Sequence, residues 1–218
     1  MQSLRSAAGI LIGLAMATLV HAEIADWGIV EDPQGDCPIE ENQGKLDFHV
    51  PPGIHNLNPV IGDTSAPRVW QEVVGDFVIE AHVLDFPIPA ENIGNIRTSY
   101  VAAGLVVWQD DKNFLRWTRS AVGESKATFG SAELYEQGKL AAAFNVAWNG
   151  QPMWLRLERR AERVFLWISD DGIKWRRHTS LRMPFLPKVK VGVFALNSTK
   201  REFAATFSDF YLLESGGK

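Results

Sequence analysis

The sequence predicts an all-β chain, a two-sheet antiparallel β-sandwich, and three observations carry that expectation. Short runs in which apolar and polar residues alternate recur from Lys45 to Leu213, each bounded by Gly, Pro, Asn or Asp, the spacing of strands joined by tight turns. Few stretches hold a helical period. Two successive hairpins can also be registered so that aliphatic side chains sort onto one face and aromatic and charged ones onto the other.

Residues 1–22 read as a secretory signal: Arg5, an apolar stretch from Ile10 to Val20, then small residues flanking the V-H-A end. The expected mature chain is a single domain, residues 23–218, exported to the periplasm or beyond. The apolar stretch is short for a bilayer span, and no later run is longer, so no transmembrane segment is expected in the mature chain. Cys37 is the only cysteine, so no disulfide can form within the chain. Loss of Arg5 leaves 21 cations against 26 anions, a net charge of −5. An acidic chain without clustered cations is a poor partner for phosphate backbones, which excludes nucleic acid.

The first alternating run is Lys45–Val50, with Leu46, Phe48 and Val50 on one side, and Pro51-Pro52-Gly53 stops it. Residues 51–67 have little periodicity and read as a long surface connection, lid or spacer. Residues 76–86 and 100–109 are longer strands, and 114–119, 153–159, 164–169, 188–196 and 203–213 complete the set. Residues 132–144 fit either a short helix or an irregular strand pair. No internal repeat is present, and the chain is too short for a propeller.

With Ala161-Glu162 as a two-residue turn, Arg159 faces Val164, Glu158 faces Phe165, Leu157 faces Leu166, Arg156 faces Trp167 and Leu155 faces Ile168. Leu155, Leu157, Leu166 and Ile168 then share the core face, each contributing about 1.5–3 kcal/mol on burial before entropy is subtracted. Trp154, Arg156, Glu158, Phe165 and Trp167 share the other. Asp170-Asp171-Gly172 fits a three-residue loop with Gly172 left-handed and Ser169 as cap. That loop sets Trp167 opposite Trp175, giving a row of Arg156, Trp167 and Trp175 across three strands. The run S-D-D-G-I-K-W comes within one residue of the sialidase Asp-box, but turn chemistry and cross-strand packing account for it. In a further hairpin turning at Asp111-Lys112, Val107 faces Arg116 and Trp108 faces Leu115. Arg116 and Thr118 are then expected on the open side, Leu115 and Trp117 on the other.

The segments APRVWQEVVGDFVIEAHV (66–83), AAGLVVWQDDKNFLRWTR (102–119), WLRLERRAERVFLWISDDGIKW (154–175), VGVFALNS (191–198) and FSDFYL (207–212) follow one another as in the regulation-of-enolase-like domains, which the chain resembles over about 44–213. The resemblance implies the concanavalin-A-like lectin/glucanase jelly roll, with one flat and one concave sheet. It supplies no catalytic residues to carry over, and fold does not supply function.

Catalytic signatures are weak. The E-x-D-x-x-E pattern of jelly-roll glucanases is absent, Glu80 and Asp85 have the wrong spacing, and Glu158 is better read as a partner for Arg156 or Arg116. No G-x-S-x-G elbow occurs. His49 and His55 near Asp47 lack paired metal-ligand spacing, Cys37 reads as structural, and 110–113 reads as a turn. No cofactor is expected. A structural calcium built from distant loops, with Asp209 a candidate ligand, would leave no linear signature.

The expected ligand face is therefore Arg156, Trp167, Trp175, Glu158 and Arg116, with a glycan as ligand, because indoles suit the CH faces of pyranose rings and the charged groups suit their hydroxyls. The competing structural reading has a loop covering the tryptophans so that they enlarge the core. Two other functions stay open: a glycoside hydrolase or lyase using dispersed carboxylates, and an envelope protein-interaction module.

Overall fold

A computed structural model describes residues 22–215; the expected signal segment lies, apart from Ala22, outside the described residues. Two antiparallel sheets pack face to face, as the alternation predicts. With strands numbered in chain order, the eight-stranded sheet runs β1 (Glu23–Ile24), β2 (Gly28–Glu31), β5 (Arg68–Val74), β14 (Lys188–Asn197), β7 (Tyr100–Asp110), β8 (Asn113–Val122), β9 (Ala127–Glu136) and β10 (Lys139–Ala147). The seven-stranded sheet runs β13 (Arg176–Arg182), β12 (Arg163–Ser169), β11 (Met153–Arg160), β6 (Phe77–Val83), β15 (Phe203–Glu214), β4 (Lys45–Val50) and β3 (Ile39–Asn42). Residues 132–144 are a strand pair, not a helix: β9 and β10 turn at Gln137-Gly138, both at positive φ, and the pair carries a bulge near Leu140. Among the described residues no helix is long and apolar enough to cross a membrane.

The two sheets differ in how their strands are buried. Along β6, β11 and β12 buried and half-buried residues alternate, so one face of the seven-stranded sheet forms the core and the other meets solvent. Leu155, Leu157, Leu166 and Ile168 sit in that core with Leu46, Phe48, Ile79, Leu115 and Trp117. All five expected β11–β12 pairs are observed. Strands β7 and β8 are buried almost without a break. Their outward side chains, with those of β5, β9 and β14, form a second apolar cluster of Trp70, Trp108, Phe114, Tyr135, Phe194 and Leu196 under Leu57 and Ala66 of the 51–67 connection. That connection is a cover, anchored by the 3-10 turn Pro59–Ile61 and by the paired backbone of His55 and Asn197.

This cover corrects the expectation for Arg116. Gln109 is an extra residue in β7, its side chain accepting the Leu186 N–H at 2.9 Å. Trp108 therefore faces Phe114 and Val106 faces Arg116, one residue from the expected register. Leu115 and Trp117 do face the core and Arg116 the other way, but that way is closed: Arg116 is 4% exposed. It donates to Glu133 at 2.7 Å and to Asn56 at 3.4 Å. Its carboxylate partner is thus not Glu158, and it lies on the other sheet from Arg156.

Leu166 has no exposure and packs between the sheets, so Leu166→Ala should destabilise the chain by about 2–5 kcal/mol, the cost of lost transfer plus cavity. Urea unfolding would measure it, with an unchanged m value expected.

Candidate functional site

The outer face of the seven-stranded sheet is built by register. Backbone pairing places Arg177, Trp167, Arg156, Glu80 and Tyr211 directly across β13, β12, β11, β6 and β15. Because paired residues of antiparallel strands point to the same side, these five side chains form one row. Trp167 to Tyr211 covers three strand spacings, about 14 Å. A second row, Ser169, Trp154, His82 and Ser208, runs beside it.

Arg156 is the centre of the first row. Its Nε lies 2.7 Å from Glu80 Oε1, without the N–H pointing along the contact, so the pair is held by charge more than by a directed hydrogen bond. Its guanidinium carbon is 3.9 Å from the Trp175 ring centre, well within cation–π range. Arg156, Glu80, Trp167 and Trp175 are half-buried, and Tyr211 is 47% exposed. The tryptophans stay outside the inter-sheet core and keep partial exposure, while Trp167 Nε1 and Arg156 Nε are themselves shielded.

Trp175 reaches this place by a route that the expected hairpin does not give. Strand β13 starts at Arg176, and Trp167 pairs with Arg177, not with Trp175. The connection is longer than three residues and folds back over the sheet. Ser169 Oγ accepts from the N–H of Gly172 at 3.0 Å, so Ser169 is the expected cap. Asp171 Oδ1 accepts from the N–H of Ile173 at 2.9 Å and of Lys174 at 2.7 Å; these backbone donors, Lys174 first, hold its carboxyl below the usual carboxylate range. Gly172 is left-handed, φ 71°, and a Cβ there would stand 2.9 Å from the Trp154 ring. A side chain would therefore meet both strain and indole. Trp175 is delivered onto Arg156 by this turn. The register then slips at His178, which stacks parallel on the core Trp117 at 5.6 Å, while Trp117 Nε1 donates to the Trp167 carbonyl at 3.1 Å.

Two residues of the site escaped sequence reasoning. Glu80, whose spacing from Asp85 does not fit a glucanase pair, is the partner of Arg156; Glu158 instead pairs with Arg160 at 2.5 Å. Tyr211 was passed over because nothing local places it beside Glu80; a bulge in β15 between Ser208 and Tyr211 sets that pairing. At the end of the second row, His82 stacks on Trp154 at 4.5 Å with a 5° interplanar angle. Burial holds His82 below its ordinary value although Asp209 lies 3.7 Å away. A cleft of about 370 Å³ opens there, lined by His82, Trp154, Asn149, Gln151 and Asp170.

Residues 61–215 match a family described as protein of unknown function, DUF1349. That description differs from the regulation-of-enolase-like name suggested by the sequence motifs, while the fold those motifs imply is the one observed. No curated protein matches the chain. Among solved structures it is similar to a functionally unknown protein from Saccharomyces cerevisiae, at 17% identity and TM-score 0.72, over 88% of this chain and 98% of that one. It is similar to the GH43 BlXynB protein from Bacillus licheniformis at 15% identity and TM-score 0.65, over 84% of this chain but 35% of that one. A legume lectin-like domain from Entamoeba histolytica matches at 11% identity and TM-score 0.54, over 83% and 88%. The chain thus spans about a third of the BlXynB chain and most of the other two. At these identities the likeness is one of fold.

The Asp171 turn gives a pH test. Its lowered carboxyl stabilises the fold above the unfolded value of about 3.9, and that contribution is lost as pH falls through the folded value. Asp171→Ala should lower the melting temperature at pH 7 and raise Trp175 exposure to fluorescence quenchers, and the difference between the two proteins should shrink as pH falls through the folded carboxyl's value. A thermal-shift series across pH checks it.

Proposed function

The chain belongs to the DUF1349 family, and from that premise we propose that it is an exported, non-catalytic module that binds a carbohydrate across the outer face of its seven-stranded sheet. One observation carries the reading: Trp167, Arg156, Glu80 and Tyr211 stand in one row on the solvent side of the sheet, half-buried but for the exposed Tyr211, with Trp175 folded over Arg156. Aromatic faces at both ends suit the CH faces of pyranose rings, and the ion pair between them offers donors and acceptors for hydroxyls already fixed in place. Such a row adds only modestly to stability, since a cation–π contact contributes about 0.5–1 kcal/mol when exposed and about 2 kcal/mol when desolvated, and Arg156 is half-buried. A fold shared with a lectin-like domain and with part of a GH43 chain supports a sugar as ligand.

Binding is favoured over hydrolysis by how the glutamates beside Arg156 are engaged. Glu80 is paired with Arg156 and Glu158 with Arg160, which suits fixed hydrogen-bond acceptors better than a proton-donating acid and its opposed partner.

Affinity electrophoresis of the purified chain through xylan, xyloglucan, β-glucan and alginate gels tests the proposal, followed by calorimetry with oligosaccharides of the retained polymer. Trp175→Ala, Tyr211→Ala and Arg156→Ala, each verified as folded, should weaken binding tenfold or more, equivalent to about 1.4 kcal/mol. Phe144→Ala, on the other sheet, should bind as the parent does. Retention by none of the polymers, or unchanged affinity in all three variants, rejects the proposal, and capture of an envelope protein insensitive to added sugars would favour an interaction module instead.

A further inference from the structure

Away from the aromatic row, three side chains of different chemistry converge where the turn before β3 meets the 51–67 connection. The Cys37 thiol, a ring nitrogen of His55 and a carboxylate oxygen of Asp36 lie within 4.8 Å of one another. His55 Nε2 is 3.1 Å from Asp36 Oδ1, and Cys37 Sγ is 3.4 Å from the same oxygen. The backbone fixes each part separately. The Cys37 N–H donates to Asp32 Oδ2 at 2.7 Å, and His55 exchanges backbone hydrogen bonds with Asn197 at 2.9 and 3.0 Å. Gly53, at φ 148°, backs the imidazole so closely that a Cβ would stand 3.3 Å from His55 Cε1.

Asp36 Oδ1 lies against both His55 Nε2 and Cys37 Sγ, and the buried polar atoms left without a partner stand at the margin of the cluster. His55 is 1% exposed, yet its Nδ1 has no hydrogen-bond partner, and Asp32 Oδ1, on the carboxylate that holds the Cys37 N–H, is buried without one as well. Leaving a buried polar atom unpaired costs its desolvation without return. Two carboxylates beside a buried thiol create a negative site, and Asp36 reaches solvent, giving an ion a way in.

We propose that Asp36, Cys37 and His55 form a binding site for a thiophilic divalent cation, with Zn²⁺ the fitting ion and water completing its shell. Tetrahedral bonds of 2.0–2.3 Å set donor separations of about 3.3–3.8 Å, close to the contacts that Asp36 already makes. Sulfur, imidazole and carboxylate together select Zn²⁺ over Ca²⁺ or Mg²⁺, which prefer all-oxygen shells. On binding, Cys37 gives its proton to solvent and holds the ion as thiolate, so affinity falls as pH is lowered. The bound ion ties the 32–37 turn to the connection that covers the eight-stranded sheet. It would clamp a chain that has no disulfide.

The test uses the reduced, chelator-stripped chain titrated first with CoCl₂ and then with ZnCl₂. One Co²⁺ per chain is expected, with a thiolate-to-cobalt charge-transfer band that Zn²⁺ abolishes, and Zn²⁺ should raise the melting temperature. Cys37→Ser should lose the band. Asp36→Asn, at an exposed position and verified as folded, should weaken Zn²⁺ binding at least tenfold. Absence of the band in the parent chain, or parent-like Zn²⁺ affinity in Asp36→Asn, overturns the proposal even if Cys37→Ser does not fold. Glycan retention can be read separately, because none of these residues lies in the aromatic row.

Discussion

Burial of the central strands of the eight-stranded sheet on both faces decides where this protein can meet a ligand. Strands β7 and β8 carry apolar or paired residues on either side, one set packing against the second sheet and the other against Leu57 and Ala66. In a two-sheet sandwich each sheet has one outward face. With the middle of one of them closed by the 51–67 connection, the seven-stranded sheet supplies the more open one. Arg116 shows the consequence at a single residue: it points away from the inter-sheet core, yet is enclosed and paired with Glu133 and Asn56.

On the open face, charge and aromatic surface are coupled through Arg156. A half-buried guanidinium needs a carboxylate and gains from an indole; Glu80 supplies the first from one side of the sheet and Trp175 the second from above. The approach of Trp175 depends on the turn at Asp171 and Gly172, where side-chain acceptors replace the ladder bonds that a tighter hairpin would have made. The resemblance of this turn to an Asp-box is thereby explained by its work in the fold. It satisfies backbone donors, and it turns an indole over an arginine.

Small irregularities do much of the positioning. Extra residues at Gln109 and His178, and the bulge before Tyr211, each shift register by a residue or more, and bulges re-aim side chains in this way without breaking a sheet. At His178 the slip sends an imidazole inward onto Trp117. Cys37 and His55 meet because the 51–67 connection must cross the sheet it covers. A cover that is fixed at both ends can bring together residues that no strand pairing would.

The sequence by itself determined the all-β class, the β11–β12 register and the inward set Leu155, Leu157, Leu166 and Ile168, because strand alternation and a two-residue turn are local properties. It also placed Arg156 beside Trp167 and made Gly172 left-handed. The near-continuous apolar run along β7 already carried the mark of a doubly buried strand, though not what buries it. Tertiary structure alone decided that Arg116 is covered, that Glu80 and not Glu158 neutralises Arg156, that Tyr211 joins the row, and that Trp175 arrives over a loop. Those outcomes depend on pairing between strands distant in sequence and on bulges whose cost is repaid by contacts elsewhere, and neither leaves a period in the chain to be read.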